Sequence, residues 1–316
     1  ERMQEALASH VIGRAADAGA DLKYGLGAGL TADLTYRTEF SQVEVDQEQV
    51  NLTRFSLFFP ERRDFFVENA GAFTFGDVTE RNYRMGTSLQ EFTLFHSRRI
   101  GLTLGGQPIP ILGGARMTGR LGGSSELGLL TMQTRATAAT PAENFAVARL
   151  RRNVLGNSDV GLIVLNRQAT DDTGGPAYNR SYGVDANLRV LRNRLVVNSY
   201  FAASAAPGVG SDGTAGRVSV AWRDRLWNTS AMVKQVQATF DPGIGFVRRS
   251  DSRHYYSTVG LHPRPNVSWI QEFNPYLEVD YITNTRGVLE TRTGTGGFGV
   301  SFFDGGNLQI ELRDQF

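Results

Sequence analysis

The feature that most constrains this chain is a two-residue rhythm of apolar and polar side chains. Leu30, Ala32, Leu34, Tyr36 and Phe40 alternate with Thr31, Asp33, Thr35, Arg37 and Glu39. Tyr182, Val184, Ala186, Leu188 and Val190 repeat the pattern against Asp185, Asn187 and Arg189. Val218, Val220 and Trp222 do so again, then Leu277, Val279 and Tyr281, then Leu308, Ile310 and Leu312. Successive side chains of a strand point to opposite faces, so this period dictates strands with one apolar and one polar face.

Turn residues punctuate the runs. Gly27 and Gly29, Gly122-Gly123-Ser124, Gly156-Asn157-Ser158, Leu191-Arg192-Asn193, and Asp304-Gly305-Gly306-Asn307 each fall between two alternating stretches. Residues 171–178 and 205–214 read as longer loops. The one fair helical candidate is 46–55, ahead of the Pro60 break. The count is about 14–16 strands. No linker, charge block or internal repeat divides residues 1–316, so one domain is expected. A propeller is disfavoured by the missing repeat of about 40–50 residues.

An all-β antiparallel chain of this kind is a soluble sheet protein or a transmembrane β-barrel, and alternation alone fits both. Three features favour the barrel. Arg shares the polar faces with Asp and Glu, as in a charged lumen. Aromatic residues such as Tyr24, Tyr36, Trp222, Trp227 and Trp269 sit near strand ends, as membrane-interface girdles do. Cys is absent from all 316 residues, which also removes disulfides, thiolate metal sites and a cysteine nucleophile. No apolar run reaches the roughly 18–20 residues of a membrane-spanning helix. The net charge of +1 offers no footprint for nucleic acid, although Lys23 and Lys234 are the only lysines and Arg carries the remaining positive charge. The start at Glu1 suggests a processed or excised chain.

Residues 38–76 break the rhythm. Phe55, Phe58, Phe59, Phe65, Phe66, Phe73 and Phe75 crowd together, interleaved with Glu61, Arg62, Arg63, Asp64 and Glu68. One reading is a packed connection whose aromatics bury one another and whose charges pair locally. The other is a plug or constriction over residues 43–76, folded into the barrel, with Phe as its packing face and Arg and Glu lining a passage.

Five stretches carry a family resemblance: Asp21-Leu22-Lys23-Tyr24-Gly25-Leu26; Phe40-Ser41-Gln42-Val43-Glu44; Gln49-Val50-Asn51-Leu52-Thr53-Arg54-Phe55; Leu57-Phe58-Phe59-Pro60-Glu61-Arg62-Arg63 with Phe65-Phe66; and Phe95-His96-Ser97-Arg98-Arg99-Ile100-Gly101. Together they resemble the DUF5916 family, a bacterial domain of unknown function, over about residues 20–120. The resemblance implies a bacterial outer-membrane β-barrel, usually C-terminal to a carbohydrate-binding family 9-like module that this chain lacks. It also implies that the 316 residues are part of a larger barrel. It supplies no mechanism.

Chemistry-bearing constellations are sparse. His10, His96, His254 and His262 form no HxxxH or HExxH spacing, and no GxSxG or phosphate-binding loop occurs. His96 and Ser97, read as strand neighbours, point to opposite faces and make no nucleophile–base pair. Asp251, His254, Ser257 and Asp280 are the residues a rim hydrolase would recruit. Asp171-Asp172 reads as a solvated loop ahead of a calcium site. The candidate ligand or lumen residues are Arg54, Glu61, Arg62, Arg63, Glu68, Arg98, Arg99, Arg116 and Arg120, because fixed guanidinium forks suit anionic or polyhydroxylated solutes. The same strand argument sends Arg98 and Arg99 to opposite faces. No catalytic residue, metal or cofactor is expected. The expected partners are outer-membrane lipid, a polar solute such as carbohydrate, and other envelope proteins. The expected role is passage or surface handling of that solute, with a non-transporting anchoring barrel and an outer-membrane hydrolase as alternatives.

Overall fold

The computed structural model describes residues 19–27, 29–37, 55, 57–76, 92–103, 106–138, 140–171, 177–208 and 213–316. The helical candidate at 46–55 lies outside these residues, apart from Phe55. Sixteen strands are formed among the described residues. They are β1 (Ala20–Leu26), β2 (Leu30–Tyr36), β3 (Phe92–Thr93), β4 (Ile111–Leu121), β5 (Ser125–Thr134) and β6 (Glu143–Val154). Then come β7 (Ser158–Ala169), β8 (Tyr178–Val190), β9 (Leu195–Ala205), β10 (Thr214–Arg223) and β11 (Trp227–Val236). The last five are β12 (Phe246–Val247), β13 (Ser252–Leu261), β14 (Ile270–Thr283), β15 (Leu289–Phe302) and β16 (Asn307–Gln315).

Fourteen of them make one antiparallel sheet in chain order, with β3 and β12 pairing separately. The sheet is open: β1 and β16 are its two edges and do not pair with each other. The all-β antiparallel expectation holds at that level, and the sheet as described is not a closed barrel.

The two ends of the sheet differ. At one end, short turns join the strands, as at 122–124, 155–157, 191–194, 224–226 and 303–306. The turn at 191–193 keeps three consecutive non-glycine residues left-handed, with φ of 53°, 59° and 63°. Longer connections gather at the opposite end. Two of them, 37–110 between β2 and β4 and 237–251 between β11 and β13, contribute the segments that pack over the inner face.

The alternation resolves into an inverted pattern. On β2, Asp33 and Thr35 are buried while Leu34 and Tyr36 are exposed. On β6, Arg149 is buried and Leu150 exposed; on β10, Arg217 and Ser219 are buried and Val218 and Val220 exposed. One register row on the outer face runs Leu127, Leu150, Leu162, Val184, Phe201 across five neighbouring strands. Its last three members Leu162, Val184 and Phe201 are 48%, 50% and 53% exposed. On these strands apolar residues therefore face away from the enclosed side and charged or small polar residues face into it, while β5–β7 also bury Leu130, Met132, Phe145, Val147, Ile163 and Leu165 on the inward positions.

Candidate functional site

Near the long-connection end, the inner face is filled by the chain's own insertion. Residues 57–63 run extended and end in the short helix α1 (Asp64–Val67), followed by a 3-10 turn at Ala70–Phe73. A bridge between Gly76 and Thr93 and a second 3-10 turn at Ser97–Arg99 complete the described part. Phe66, Phe73, Phe75, Phe92, Leu94 and Ile100 of this insertion form one buried cluster with wall residues that include Leu130, Phe145, Ile163 and Tyr200. Phe92 stacks on Tyr200 with centroids 5.1 Å apart, and Phe240 of the second connection closes over Phe92 at 5.5 Å.

The wall makes room for these rings by giving up side chains. A Cβ on Gly128 would lie 2.9 Å from the Phe73 ring, and one on Gly183 would run into the Phe75 ring. Both glycines face inward, so each is a socket for one phenylalanine. The second connection is pinned similarly: Asn179 donates to the Asp241 carbonyl at 2.9 Å and accepts from the Gly243 amide at 2.9 Å.

Ion pairs tie the insertion to itself and to the wall. Arg63 is buried; its Nε and Nη2 donate to the two carboxylate oxygens of Glu61 at 2.9 and 2.7 Å. Its Nη1 donates to the Ile100 carbonyl at 2.7 Å and its Nη2 also to that of Ser97 at 2.9 Å. The Ser97 hydroxyl donates to Glu61 at 2.7 Å. Burial alone would raise the Glu61 pKa, but the Arg63 hydrogen bonds and charge, with the Ser97 hydroxyl, hold it down at about 2. Burial also pushes His96 down to about 4, with the Arg99, Arg98 and Arg63 charges adding to the effect and Glu61 opposing it. Arg116, on β4, binds Asp33 through Nε and Nη2 at 3.0 and 2.7 Å. It also donates to the backbone carbonyls of Phe65 and Glu68 and to the Glu68 carboxylate. Lys23 of β1 pairs with the same Glu68. Deeper on the wall, Arg149 and Asp185 form a two-pronged pair at 2.5 and 2.8 Å beneath Phe75.

The candidate residues therefore separate. Glu61, Arg63, Glu68 and Arg116 belong to the anchoring of the insertion. Arg62 is exposed, and its backbone amide donates to Glu61. Arg98 leans on Phe59 and reaches the Pro60 carbonyl, whereas Arg99 donates to the Gly245 carbonyl. Ser97, Arg98 and Arg99 lie in a 3-10 turn, so the strand argument for opposite faces does not apply to them or to the His96–Ser97 pair. His96 packs against Phe58 with ring centroids 5.0 Å apart and the rings tilted, and the Ser97 hydroxyl donates to Glu61. Arg120 is exposed at the short-turn end, away from the insertion, in a shallow depression with Glu126 and Arg151. Arg54 and residues 43–54 lie outside the described residues.

The hydrolase set does not assemble. His254 lies 2.7 Å from Asp280, but Asp251 is held by Thr285, and Ser257 projects from the opposite face of β13. Asp171 accepts the Ala142 amide at 2.9 Å. No cluster of three potential metal ligands occurs among the described residues.

Sequence reasoning missed Lys23, Asp33 and Asp185 as anchors, and it missed the glycine sockets. One signal was present: Leu127 to Leu130, Phe145 to Ala148 and Gly161 to Leu165, on three neighbouring strands, are apolar on both faces. Such runs mark strands covered on both sides.

Residues 5–110 match DUF5916, a domain of unknown function. The DUF5916 match covers about a third of the chain and bears out the resemblance carried by the motifs. It takes in the whole described insertion and the first two strands of the wall, so the ion-paired anchor lies almost entirely within it. Arg116 lies just beyond its end. No curated protein and no solved structure matches the chain.

Proposed function

We propose that this chain is an outer-membrane β-barrel whose lumen is occluded by its own DUF5916 segment, and that it handles a polar solute in passage or at the surface. The observation that carries this reading is the inversion of the sheet: apolar side chains outside, charged side chains and a packed insertion inside. Water-soluble sheets place their apolar face against a core, and membrane barrels place it against lipid. Strand length supports the reading too. Every wall strand from β4 to β15 has 10–14 residues, against the ~9–11 residues a tilted strand needs to cross a bilayer. In an alternating series of fourteen strands, β1 and β16 run antiparallel. Both carry apolar outer residues, Leu22 and Tyr24 on one and Ile310 and Leu312 on the other, so closure of one on the other is proposed with the barrel.

The test is liposome swelling with the purified chain and with a variant lacking residues 43–76. The reading expects little permeation of small sugars through the intact chain and ready permeation through the variant. No permeation in either would overturn the transport role and favour the second reading, a non-transporting anchor. The buried ion pairs that pin the insertion, Arg116 with Asp33 and Arg63 with Glu61, are what favour that second reading.

A further inference from the structure

We infer that the short-turn end of the wall is a rim that docks against an anionic phospholipid leaflet and binds its headgroup phosphates, an inference that rests on the barrel reading of the wall it edges. Turn tips usually carry Gly, Asn, Asp or Ser. Here Leu155 of turn 155–157 is 73% exposed and Leu191 of turn 191–194 is 61% exposed. Leu226 of turn 224–226 and Phe303 of turn 303–306 are exposed as well. Leu155 and Leu191 hold their places with φ of 50° and 53°, a left-handed backbone that a Cβ makes costly. Strain spent on showing leucine to the outside calls for an apolar medium there. Successive turns are also tied together. Arg189 Nη1 donates to the Asn157 carbonyl at 3.2 Å, the Arg223 amide to the Arg194 carbonyl at 2.8 Å, and the Phe303 amide to the Trp269 carbonyl at 3.2 Å.

All three tryptophans of the chain stand at this end. Trp222 closes the outer apolar row of β10, and Trp227 opens β11 on the same side as Ala231 and Val233. Trp269 lies just ahead of β14, exposed and stacked on Phe302 with centroids 5.9 Å apart. Tryptophan favours the boundary where one side of the ring is apolar and the other wet. Arginine accompanies these tips. Arg152 is exposed on the outer side of β6, two places beyond Leu150, and Arg192, Arg194 and Arg225 are exposed in their turns. None of the four forms an ion pair among the described residues. The one acid among them, Asp224, accepts from the amides of Leu226 and Trp227 and from the Trp222 indole. Guanidinium forks without carboxylates match phosphate. The tips and cations recur from β6 to β16 and so follow the wall; a leaflet meets such an edge along its whole length, whereas a protein partner would be met by one patch.

The experiment uses the three native tryptophans as reporters. The full chain is reconstituted into liposomes of phosphatidylglycerol and phosphatidylcholine in equal parts, with one lipid or the other brominated near the headgroup end of its acyl chains. The inference expects both lipids to quench, with a relative association of about threefold or more in favour of phosphatidylglycerol, on the scale of one arginine at a charged leaflet. Arg152→Gln, Arg192→Gln, Arg194→Gln and Arg225→Gln together should bring that ratio towards one. Sodium chloride at about 1 M should do the same to the unsubstituted chain, and it decides the matter if the variant does not fold. Equal quenching by the two lipids would overturn the inference, as would a preference unchanged in the folded variant or, failing that variant, in salt. Quenching by neither lipid in a chain that resists carbonate extraction, as when a partner protein covers the rim, also overturns it and leaves the barrel reading in place. Quenching that prefers phosphatidylglycerol in a chain that carbonate strips from the liposomes does the reverse.

Discussion

At the residue scale, the chemistry of the insertion is that of a clamp. Glu61 and Arg63 satisfy each other, and the hydrogen bonds left over reach Ser97 and Ile100, joining two motifs 34–37 residues apart. A buried pair so completely hydrogen-bonded is costly to break from one side, about 3–5 kcal/mol, because the remaining charge is stranded. Acid reaches the clamp through two groups. His96 titrates at about 4 in the fold against an ordinary 6.5, so an opened insertion binds the proton more readily and His96 favours opening as pH falls from 6.5 towards 4. Glu61 titrates at about 2 against 4.5, so its contribution is full above 4.5 and is lost as pH falls towards 2. Hydrogen-exchange protection of residues 57–76 and 92–100, taken relative to the intrinsic amide rate at each pH, is therefore expected to fall between neutral pH and about pH 4, and further below that. His96→Phe, which keeps a ring against Phe58, should remove the upper part of the response and leave the lower. Protection indifferent to pH over the whole span would contradict the clamp.

At the element scale, the wall and the insertion are shaped to each other. Gly128 and Gly183 sit mid-strand, where glycine weakens a sheet, and their function is to admit Phe73 and Phe75. Gly183→Val is expected to displace Phe75 and destabilise the insertion by about 1–3 kcal/mol, as overpacking does. Faster proteolysis within 57–100, with strand content by circular dichroism unchanged, is the readout; a protease pattern like that of the unsubstituted chain would argue against the socket. These glycines also show where the sequence was and was not legible. The strands and their turns were readable because period two and turn chemistry are local. The inverted contrast of Asp33 against Leu34 was visible as alternation, but which face was buried was not, since burial depends on what the other strands enclose. The Phe-rich segment announced itself by composition. Its anchors Lys23, Asp33 and Asp185 did not, because each stands in an ordinary alternating strand and acquires its partner only through the fold. The strand argument applied to Ser97–Arg99 failed because a buried arginine drew that segment into a 3-10 turn around its guanidinium.

At the scale of the whole molecule, one inside-out sheet divides its enclosed face into two regions. Near the long connections the inner face is apolar and filled by Phe66, Phe73, Phe75 and Phe92. Towards the short turns it is polar, with Asn198, Ser219, Ser230 and Thr258 buried among the charged residues. On the proposed transport reading, a solute has to move or thread past the insertion, and the Arg116 and Arg63 clamps would stand between an occluded and an open form. All of this depends on the outer row facing lipid. The absence of cysteine from the chain makes that directly measurable, since single cysteines can be placed without background. Spin labels at Leu162, Val184 and Phe201, and at the intervening position Ile163, can be read in liposomes by collision with oxygen and with an aqueous nickel chelate. The account predicts that the first three are oxygen-accessible and chelate-protected, and that Ile163 is shielded from both. Chelate-accessible labels at Leu162, Val184 and Phe201 would contradict it.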